Sequence, residues 1–244
     1  MKKKVFILVG MTGVGKSTLG NCIINQNGNL DQMNAPFVTS DSVAGCTRNF
    51  ACEETDEYTV IDTVGFGDPQ FEPDFILQNL RCALNKVENK IDCVLFVIKV
   101  GRVTREFVNF FNVIQREIFE HKCNRNFILV GTGGSDPNWF ENNRNINPIM
   151  DELSESCNNL TFAFSLKFDH CSDDEEDRMK NVLKRQESIN KLIGFIERQP
   201  FQKTDLSHIQ TEEFGLKWSH ISASLVAITG ALAAGTLFLF KILK

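Results

Sequence analysis

Continuous apolar runs alternate with amphipathic stretches along most of the chain. The runs at 5–9, 92–100 and 126–131 predict buried strands, because a strand covered on both faces is apolar throughout. Apolar residues at helical spacing predict helices at 16–25 and 74–87. Strands that alternate with helices indicate an α/β fold, here a three-layer sandwich with a mostly parallel sheet and helices on both faces.

Weaker patterns complete this outline. They predict, in chain order, short strands at 49–53 and 58–62, helices at 107–118 and 148–157, a last strand at 160–165 and a long amphipathic helix at 179–196. Residues 27–48 are polar and aperiodic, which is typical of a long loop. We therefore predict one domain over residues 1–198.

Composition narrows the class of protein. The chain has 244 residues, of which 42% are hydrophobic, and its net charge of -5 argues against nucleic acid as a partner. Its eight cysteines are scattered without CxxC pairs, which indicates reduced thiols in the cytosol rather than a disulfide framework. The composition is therefore that of a cytosolic domain with a full apolar core.

A glycine-rich turn follows the first predicted strand. Residues 10–17 fit the pattern G-x-x-x-x-G-K-[ST] in full, and they lie between a predicted strand and a predicted helix. In such a phosphate loop, backbone N–H groups and the helix N-terminus surround phosphate oxygens. Lys16 can reach the β- and γ-phosphates and serve catalysis, and the Ser17 hydroxyl can ligate Mg²⁺. The predicted nucleotide-binding residues of this loop are Gly10, Met11, Thr12, Gly13, Val14, Gly15, Lys16, Ser17 and Thr18.

Two further segments are candidates for contact with the γ-phosphate and Mg²⁺. Asp62 ends a predicted strand and can hold Mg²⁺ through water, and the Gly65 amide can contact the γ-phosphate. Thr47 lies between a polar loop and a short strand, which suits a hydroxyl that closes over the metal and the γ-phosphate. We therefore predict Thr47 as a metal ligand and catalytic residue, with Thr39 as the alternative.

These motifs resemble those of the IAN/GIMAP family of GTPases, the immunity-associated nucleotide-binding proteins, whose relatives include septins and the chloroplast import GTPases. The phosphate loop and the DTVG segment at 62–65 fit, and the most specific match is GRVTRE at 101–106 after a strand. In physical terms, Thr104 can cap the following helix and Glu106 suits its first turn. The resemblance covers residues from about 4 to about 200.

The resemblance implies a guanine-nucleotide-binding domain, an IAN/GIMAP-type G domain, that binds GTP and GDP with Mg²⁺ and hydrolyses GTP. It also implies that the nucleotide-binding faces of two copies meet, so that the protein forms a homodimer or oligomer in the GTP state. The family further implies a scaffold on an organelle membrane.

Base recognition departs from the usual GTPase pattern. GTPases carry a T/N-K-x-D motif, in which the Asp bonds guanine and the Lys packs on the ring. Here the segment TGGSD at 132–136 lacks the lysine, and its acid comes one place late. Thr132, Asp136 and Ser165 are the predicted contacts on the base side, with a solvated loop acid as the alternative for Asp136.

The glutamine that positions the attacking water in other GTPases is also absent, since Phe66 follows the DTVG segment. We therefore expect slow intrinsic hydrolysis that a residue of a second subunit stimulates. Arg48, Arg102 and Arg105 are candidates for that residue. A nucleotide-bound scaffold with negligible hydrolysis and a P-loop ATPase with relaxed base specificity are the alternative functions.

The end of the chain has a different character. Residues 221–240 contain no charged residue and would span about 30 Å as a helix, which is enough to cross a bilayer core. We predict a transmembrane tail anchor at 219–241, a linker at 199–218 and a nucleotide-binding domain in the cytosol. A helix packed on the domain is the alternative.

Overall fold

The computed structural model describes most of the chain. The described residues are 3–27, 35–38, 50–66, 71–101, 103–122, 125–134, 136–144, 146–165 and 175–242. For residues 165, 178 and 231–242 only the backbone is described. The candidate residues Thr39, Thr47, Arg48 and Arg102 lie outside the described residues.

The described residues form eight strands. They are β1 (Lys4–Val9), β2 (Ala51–Glu54), β3 (Tyr58–Asp62), β4 (Lys90–Ile91), β5 (Cys93–Lys99), β6 (Phe127–Gly134), β7 (Thr161–Ser165) and β8 (Thr204–Asp205). Six form one sheet in the order β2-β3-β1-β5-β6-β7, in which every neighbouring pair is parallel except β2 and β3. β4 and β8 form a separate antiparallel ribbon. The prediction of a mostly parallel sheet is confirmed.

Helices connect these strands. They are α1 (Lys16–Ile24), α2 (Pro73–Lys86), α3 (Arg105–Val113), α4 (Trp139–Arg144), α5 (Pro148–Ser156), α6 (Glu175–Glu197) and α7 (Glu212–Ile242). A π-helical segment, Ile114–Ile118, extends α3, and a 3₁₀ turn, Ser207–Gln210, precedes α7. The sequence pattern does not predict α4, because this short helix contains few apolar residues.

The core consists of two apolar clusters, one on each face of the sheet. α1 and α6 cover one face, where Leu19 and Ile193 belong to the same cluster as Phe6 of β1. α2, α3, α5 and α7 contribute to the other cluster, in which the rings of Phe96 and Phe111 meet edge to face with centroids 4.8 Å apart. Because helices cover both faces, ligands can reach the parallel strands only at the ends of the sheet.

Residues 199–218 differ from the predicted linker. β8 pairs with β4, and the 3₁₀ turn that follows buries Ile209 completely. The first turns of α7 pack against α2 and α3, where Trp218 is 1% exposed and its indole N–H donates to the Pro73 carbonyl oxygen at 2.8 Å. This segment therefore belongs to the core, although the polar residues between its apolar positions hide that role in the sequence.

The predicted transmembrane segment begins inside this packed region. Ile221 and Leu225, which the prediction assigns to the bilayer, are buried against the domain, so the packed part of α7 extends past residue 219. Among the residues that the structure describes, no helix has the length and apolar character needed to cross a membrane. The side chains of residues 231–241, the rest of the predicted segment, lie outside that description.

Candidate functional site

The phosphate loop lies at the carboxyl end of β1, in the middle of the sheet. α1 begins directly after it, and Gly15 precedes the helix with a φ of 90°, in the left-handed region that glycine adopts most readily. Val14 is anchored in the apolar cluster beneath α1. The first turn of α1, with its backbone N–H groups, therefore lies at the edge of the sheet at which α/β proteins bind ligands.

Lys16 folds back over the loop that precedes it. Its ammonium donates hydrogen bonds to the carbonyl oxygens of Met11, at 2.8 Å, and Gly10, at 3.2 Å, and the residue is 6% exposed. A buried charge requires polar partners, because removing it from water costs free energy. These bonds fix one positive charge beside the backbone N–H groups of the loop, which is the arrangement that attracts a phosphate.

Ser17 and Asp62 meet next to this lysine. The Ser17 hydroxyl donates to Asp62 Oδ2 at 2.6 Å and so joins the start of α1 to the end of β3. Burial raises the pKa of the Asp62 carboxyl to about 6, although the charge of Lys16 and the Ser17 hydrogen bond both lower it. The second carboxyl oxygen, Oδ1, is buried and has no hydrogen-bond partner among the residues that the structure describes.

This donor set fits Mg²⁺. Hydroxyl and carboxylate oxygens are ligands that the ion prefers, and Mg²⁺ keeps bound water that a carboxylate can hold. A hydrated cation next to Asp62 would supply the partner that Oδ1 lacks and would favour the ionised carboxylate. Ser17 and Asp62 are therefore described residues able to hold the ion, whereas Thr47 lies outside the described residues.

Replacement of Asp62 by Asn tests this assignment. The folded protein keeps the Asp62 proton up to about pH 6, whereas the unfolded chain loses it near 3.8, so stability falls as pH rises between these values. At pH 8 we expect Asp62→Asn to raise the free energy of unfolding of the nucleotide-free protein by about 3 kcal/mol, yet to weaken Mg²⁺-dependent nucleotide binding. Urea unfolding at pH 8 and pH 4 measures the first effect. An equal gain at both pH values would contradict the burial of a charged carboxylate.

The segment after β3 lies against the phosphate loop. A Cβ atom on Gly65 would lie 2.3 Å from Thr12 Oγ1 and 2.7 Å from Thr12 N, so only glycine fits there without displacing the loop. The Thr63 hydroxyl donates to the Leu8 carbonyl oxygen at 2.6 Å and ties the segment to β1. The structure thus brings Gly65 to the loop, and its contact with the γ-phosphate stays a prediction.

Thr132, which the sequence analysis predicts to contact the base, lies buried between two backbone carbonyl groups. The residue is 2% exposed, and its hydroxyl lies 2.5 Å from the Val14 carbonyl oxygen and 3.1 Å from the Ile98 carbonyl oxygen. By donating to the Val14 carbonyl oxygen, the Thr132 hydroxyl links β6 to the phosphate loop. Thr132 therefore supports the loop from within the sheet, a role that the sequence analysis did not assign.

Asp136 and Ser165 are the other predicted contacts on the base side. Asp136 is exposed and accepts hydrogen bonds from the Asn138 backbone N–H and from Asn142 Nδ2, both at 2.9 Å. These bonds order the start of α4, which favours the alternative of a solvated loop acid. Binding of the base by Asp136 stays a prediction, and the side chain of Ser165 lies outside the description.

The GRVTRE segment at 101–106 leads into α3. Thr104 occupies the N-cap position, but its hydroxyl makes no capping hydrogen bond, so the predicted cap is wrong. Glu106 lies in the first turn, as predicted. Arg105, a candidate for the stimulating residue, forms an exposed ion pair with Glu152 of α5 and is engaged within its own chain.

A clamp that the sequence analysis missed holds the chain after α1. Asn21 Nδ2 donates to the Phe37 carbonyl oxygen at 2.8 Å, and Asn21 Oδ1 accepts from the Phe37 N–H at 3.0 Å. Both residues are 1% exposed. An asparagine inside a helix is unfavourable unless its amide has such partners. Asn21 within the predicted helix 16–25 was therefore the feature of the sequence that could have indicated this contact. The clamp fixes the chain two positions before Thr39.

The fold and the site together define a class of protein. A parallel sheet whose central strand ends in a phosphate loop, with a lysine over that loop and a Ser–Asp pair beside it, is the arrangement of a P-loop nucleotide-binding protein. The sequence profile of the AIG1 family matches residues 4–218, and the chain belongs to this family of GTP-binding proteins. The IAN/GIMAP resemblance is confirmed.

Two curated relatives show the extent of the similarity. GTPase IMAP family member 8 of Mus musculus is 26% identical over 193 residues, which cover 76% of this chain and 27% of that protein. Immune-associated nucleotide-binding protein 9 of Arabidopsis thaliana is 25% identical over 203 residues, which cover 80% of this chain and 54% of that protein. The chain therefore spans about a quarter of the first relative and about half of the second.

A solved structure shares the architecture. Toc33 from Arabidopsis thaliana in complex with GDP and Mg²⁺ matches with a TM-score of 0.51 and 14% sequence identity. The match covers 84% of this chain and 88% of the Toc33 chain. At this level of identity the similarity is one of fold.

Proposed function

We propose that this chain binds GTP and GDP with Mg²⁺, hydrolyses GTP slowly, and switches or assembles on a membrane in the GTP state. The observation that carries the proposal is the meeting of Lys16, Ser17 and Asp62 at the phosphate loop. Asp62 Oδ1, which is buried without a hydrogen-bond partner among the described residues, supports the proposal further. A hydrated cation at this site would supply the missing partner.

Each part of the loop has a task in this proposal. The backbone N–H groups of residues 10–17 and the Lys16 ammonium bind the β- and γ-phosphates. Ser17 and Asp62 would hold Mg²⁺, the latter through water, and Thr47 is the proposed further ligand. When bound, the ion neutralises charge on the β- and γ-phosphate oxygens. Gly65 contacts the γ-phosphate and transmits its loss to the segment that follows.

Guanine is the proposed base because of the relatives. The chain belongs to a GTP-binding family, a relative is named a GTPase, and Toc33 was solved with GDP and Mg²⁺. Asp136 and Ser165 are the proposed contacts with the base. A P-loop ATPase with relaxed base specificity is the alternative, because the T/N-K-x-D lysine is absent from residues 132–136.

Slow hydrolysis follows from the surroundings of Phe66. This residue stands where other GTPases position a water molecule with glutamine, and it is 1% exposed within the apolar cluster under α2 and α7. A buried phenyl ring offers no hydrogen bond to an attacking water. We propose that a second copy supplies the missing group across the nucleotide face, with Arg48 and Arg102 as candidates. A scaffold with negligible hydrolysis is the alternative that the same observation favours.

Nucleotide competition and hydrolysis kinetics test this function. In the presence of Mg²⁺, GTP should displace a fluorescent GDP analogue at a concentration at least about tenfold lower than ATP does. Single-turnover hydrolysis should run below about 1 s⁻¹ in dilute protein and accelerate as the protein concentration rises. Preference for ATP would establish the ATPase alternative, and absence of hydrolysis at every protein concentration would establish the scaffold.

Membrane anchoring is the remaining part of the proposal. Residues 221–240 carry no charge, and after the packed Leu225 the helix continues to residue 242, about 25 Å further. We expect the full chain to float with phosphatidylcholine vesicles, whereas a chain that ends at residue 230 stays in the dense fractions. The shortened chain keeps the packed turns of α7 and serves as the folding control. Equal flotation of both chains would contradict an anchor in the last residues.

A further inference from the structure

Lys99 lies across Gly133, the position at which the T/N-K-x-D pattern places its lysine. A Cβ atom on Gly133 would lie 3.6 Å from Lys99 Cγ and 3.7 Å from Lys99 Cε, which is ordinary van der Waals contact along the length of the lysine side chain. Gly133 has a φ of 79°, which favours glycine there. β5 thus brings Lys99 next to Gly133 of β6, where the T/N-K-x-D pattern would place a lysine.

The alternation of β5 directs Lys99 toward the phosphate loop. Leu95 and Val97 belong to the same apolar cluster as Val14 of the loop, and Lys99 is the next residue on that face. Lys99 also pairs in register with Thr132, whose hydroxyl lies 2.5 Å from the Val14 carbonyl oxygen. The Lys99 side chain therefore emerges at the carboxyl edge of the sheet, next to the loop that would hold the phosphates.

The ammonium of Lys99 differs from the ammoniums of Lys16 and Lys191. Lys16 is bonded to the loop, and Lys191 of α6 is paired with Glu187 at 2.5 Å. Lys99 is exposed, and in the part of the chain that the structure describes it forms no hydrogen bond or ion pair. Its side chain is therefore available to a ligand without loss of an internal interaction.

We propose that Lys99 packs against the face of the purine base of the bound nucleotide and so replaces the lysine missing from residues 132–136. The aliphatic stem supplies apolar contact with the ring, and the ammonium supplies a cation–π interaction. This inference rests on the proposed function, since it assigns a base-binding residue to the same site. Stacking tolerates guanine and adenine alike, so it is independent of the choice between GTP and ATP.

A cavity that Gly134 helps to line is the competing place for the base. Its volume is about 600 Å³, and it lies between β7, α4 and α6. Gly134, Asp136, Phe162 and Lys184 are among its lining residues, whereas Lys99 is not. Asp136, a proposed contact with the base, also lines this cavity, so Asp136 does not separate the two placements. A base in this cavity would contact Lys184 instead of Lys99, and the two lysines therefore distinguish them.

Binding measurements on three variants of the full chain test the inference. Lys99→Ala should weaken GDP binding in the presence of Mg²⁺ about tenfold, because it removes the stacked stem and its charge. Lys99→Arg should restore affinity to within about threefold, since a guanidinium also stacks on rings. Lys184→Ala, the matched control, should bind GDP like the unchanged protein.

Inorganic tripolyphosphate with Mg²⁺ separates base contact from phosphate contact. Its affinity should be the same for Lys99→Ala and the unchanged protein, because this ligand has no base. An equal loss for GDP and tripolyphosphate, or unchanged GDP binding by Lys99→Ala, would overturn the inference while leaving the proposed function intact. Loss of GDP binding by Lys184→Ala alone would place the base in the cavity. Failure of the unchanged protein to bind either ligand would reject the proposed function itself.

Discussion

Replacing Lys16 with Ala is expected to weaken the binding of GTP in the presence of Mg²⁺ at least about 100-fold, or about 3 kcal/mol. Lys16 is 6% exposed, and its ammonium is held by the Met11 and Gly10 carbonyl oxygens, so it is already oriented when the ligand arrives. Its loss removes the buried positive charge that the loop holds beside the proposed phosphate site. Isothermal titration with GTP, with and without Mg²⁺, measures the effect.

A matched variant separates this effect from a general loss of positive charge. Lys191→Ala removes an exposed lysine that is paired with Glu187 on α6, so it should leave the affinity for GTP within about twofold. Urea unfolding of Lys16→Ala should show a folded domain, since its loop backbone is also fixed by Val14 and Thr132. If Lys16→Ala binds GTP as tightly as the unchanged protein, the loop is not a phosphate site and the proposed function fails.

Replacing Trp218 with Ala is expected to lower the free energy of unfolding by about 4 kcal/mol. Trp218 is 1% exposed and belongs to the cluster between α2, α3 and α7, and its indole N–H donates a hydrogen bond to the Pro73 carbonyl oxygen. The substitution removes a large apolar surface, leaves a cavity and deprives a carbonyl group of its partner. Urea denaturation of the full chain, followed by circular dichroism, gives the difference.

Leu216 provides a control two residues away on the same helix. It is 78% exposed, so Leu216→Ala should change the free energy of unfolding by less than about 0.5 kcal/mol. The contrast between the two variants distinguishes a packed helix from a linker. If Trp218→Ala costs less than about 1 kcal/mol, residues 199–218 contribute little to the core, and the description of α7 as part of the domain is wrong.

The sequence predicts those parts of the site that are formed by residues close together in the chain. The phosphate loop is one short segment, and its glycines, Lys16 and Ser17 are specified by local backbone geometry and by the start of a helix. Asp62 follows from its place at the end of an apolar strand. The alternation of strands and helices likewise predicts the parallel sheet, since each apolar period is a local property.

Contacts between distant segments could not be predicted in the same way. Lys99 reaches Gly133 only because β5 and β6 are neighbours in register, and Asn21 meets Phe37 only because the chain returns to α1. No single window of the sequence contains both partners of either contact. The apolar residues of 199–218 are separated by polar ones, so their burial depends on the groove between α2 and α3 and not on local composition.

The continuity of α7 has a mechanical consequence. A flexible tether would let the domain turn and drift over a wide volume, whereas a helix that begins inside the core and runs to residue 242 behaves as a stiff rod. If the proposed anchor holds the end of such a rod in a bilayer, the domain would vary less in its tilt and height above the lipid surface than a domain on a flexible tether. Two copies would then meet with little rotational freedom left to lose, which lowers the entropic cost of pairing.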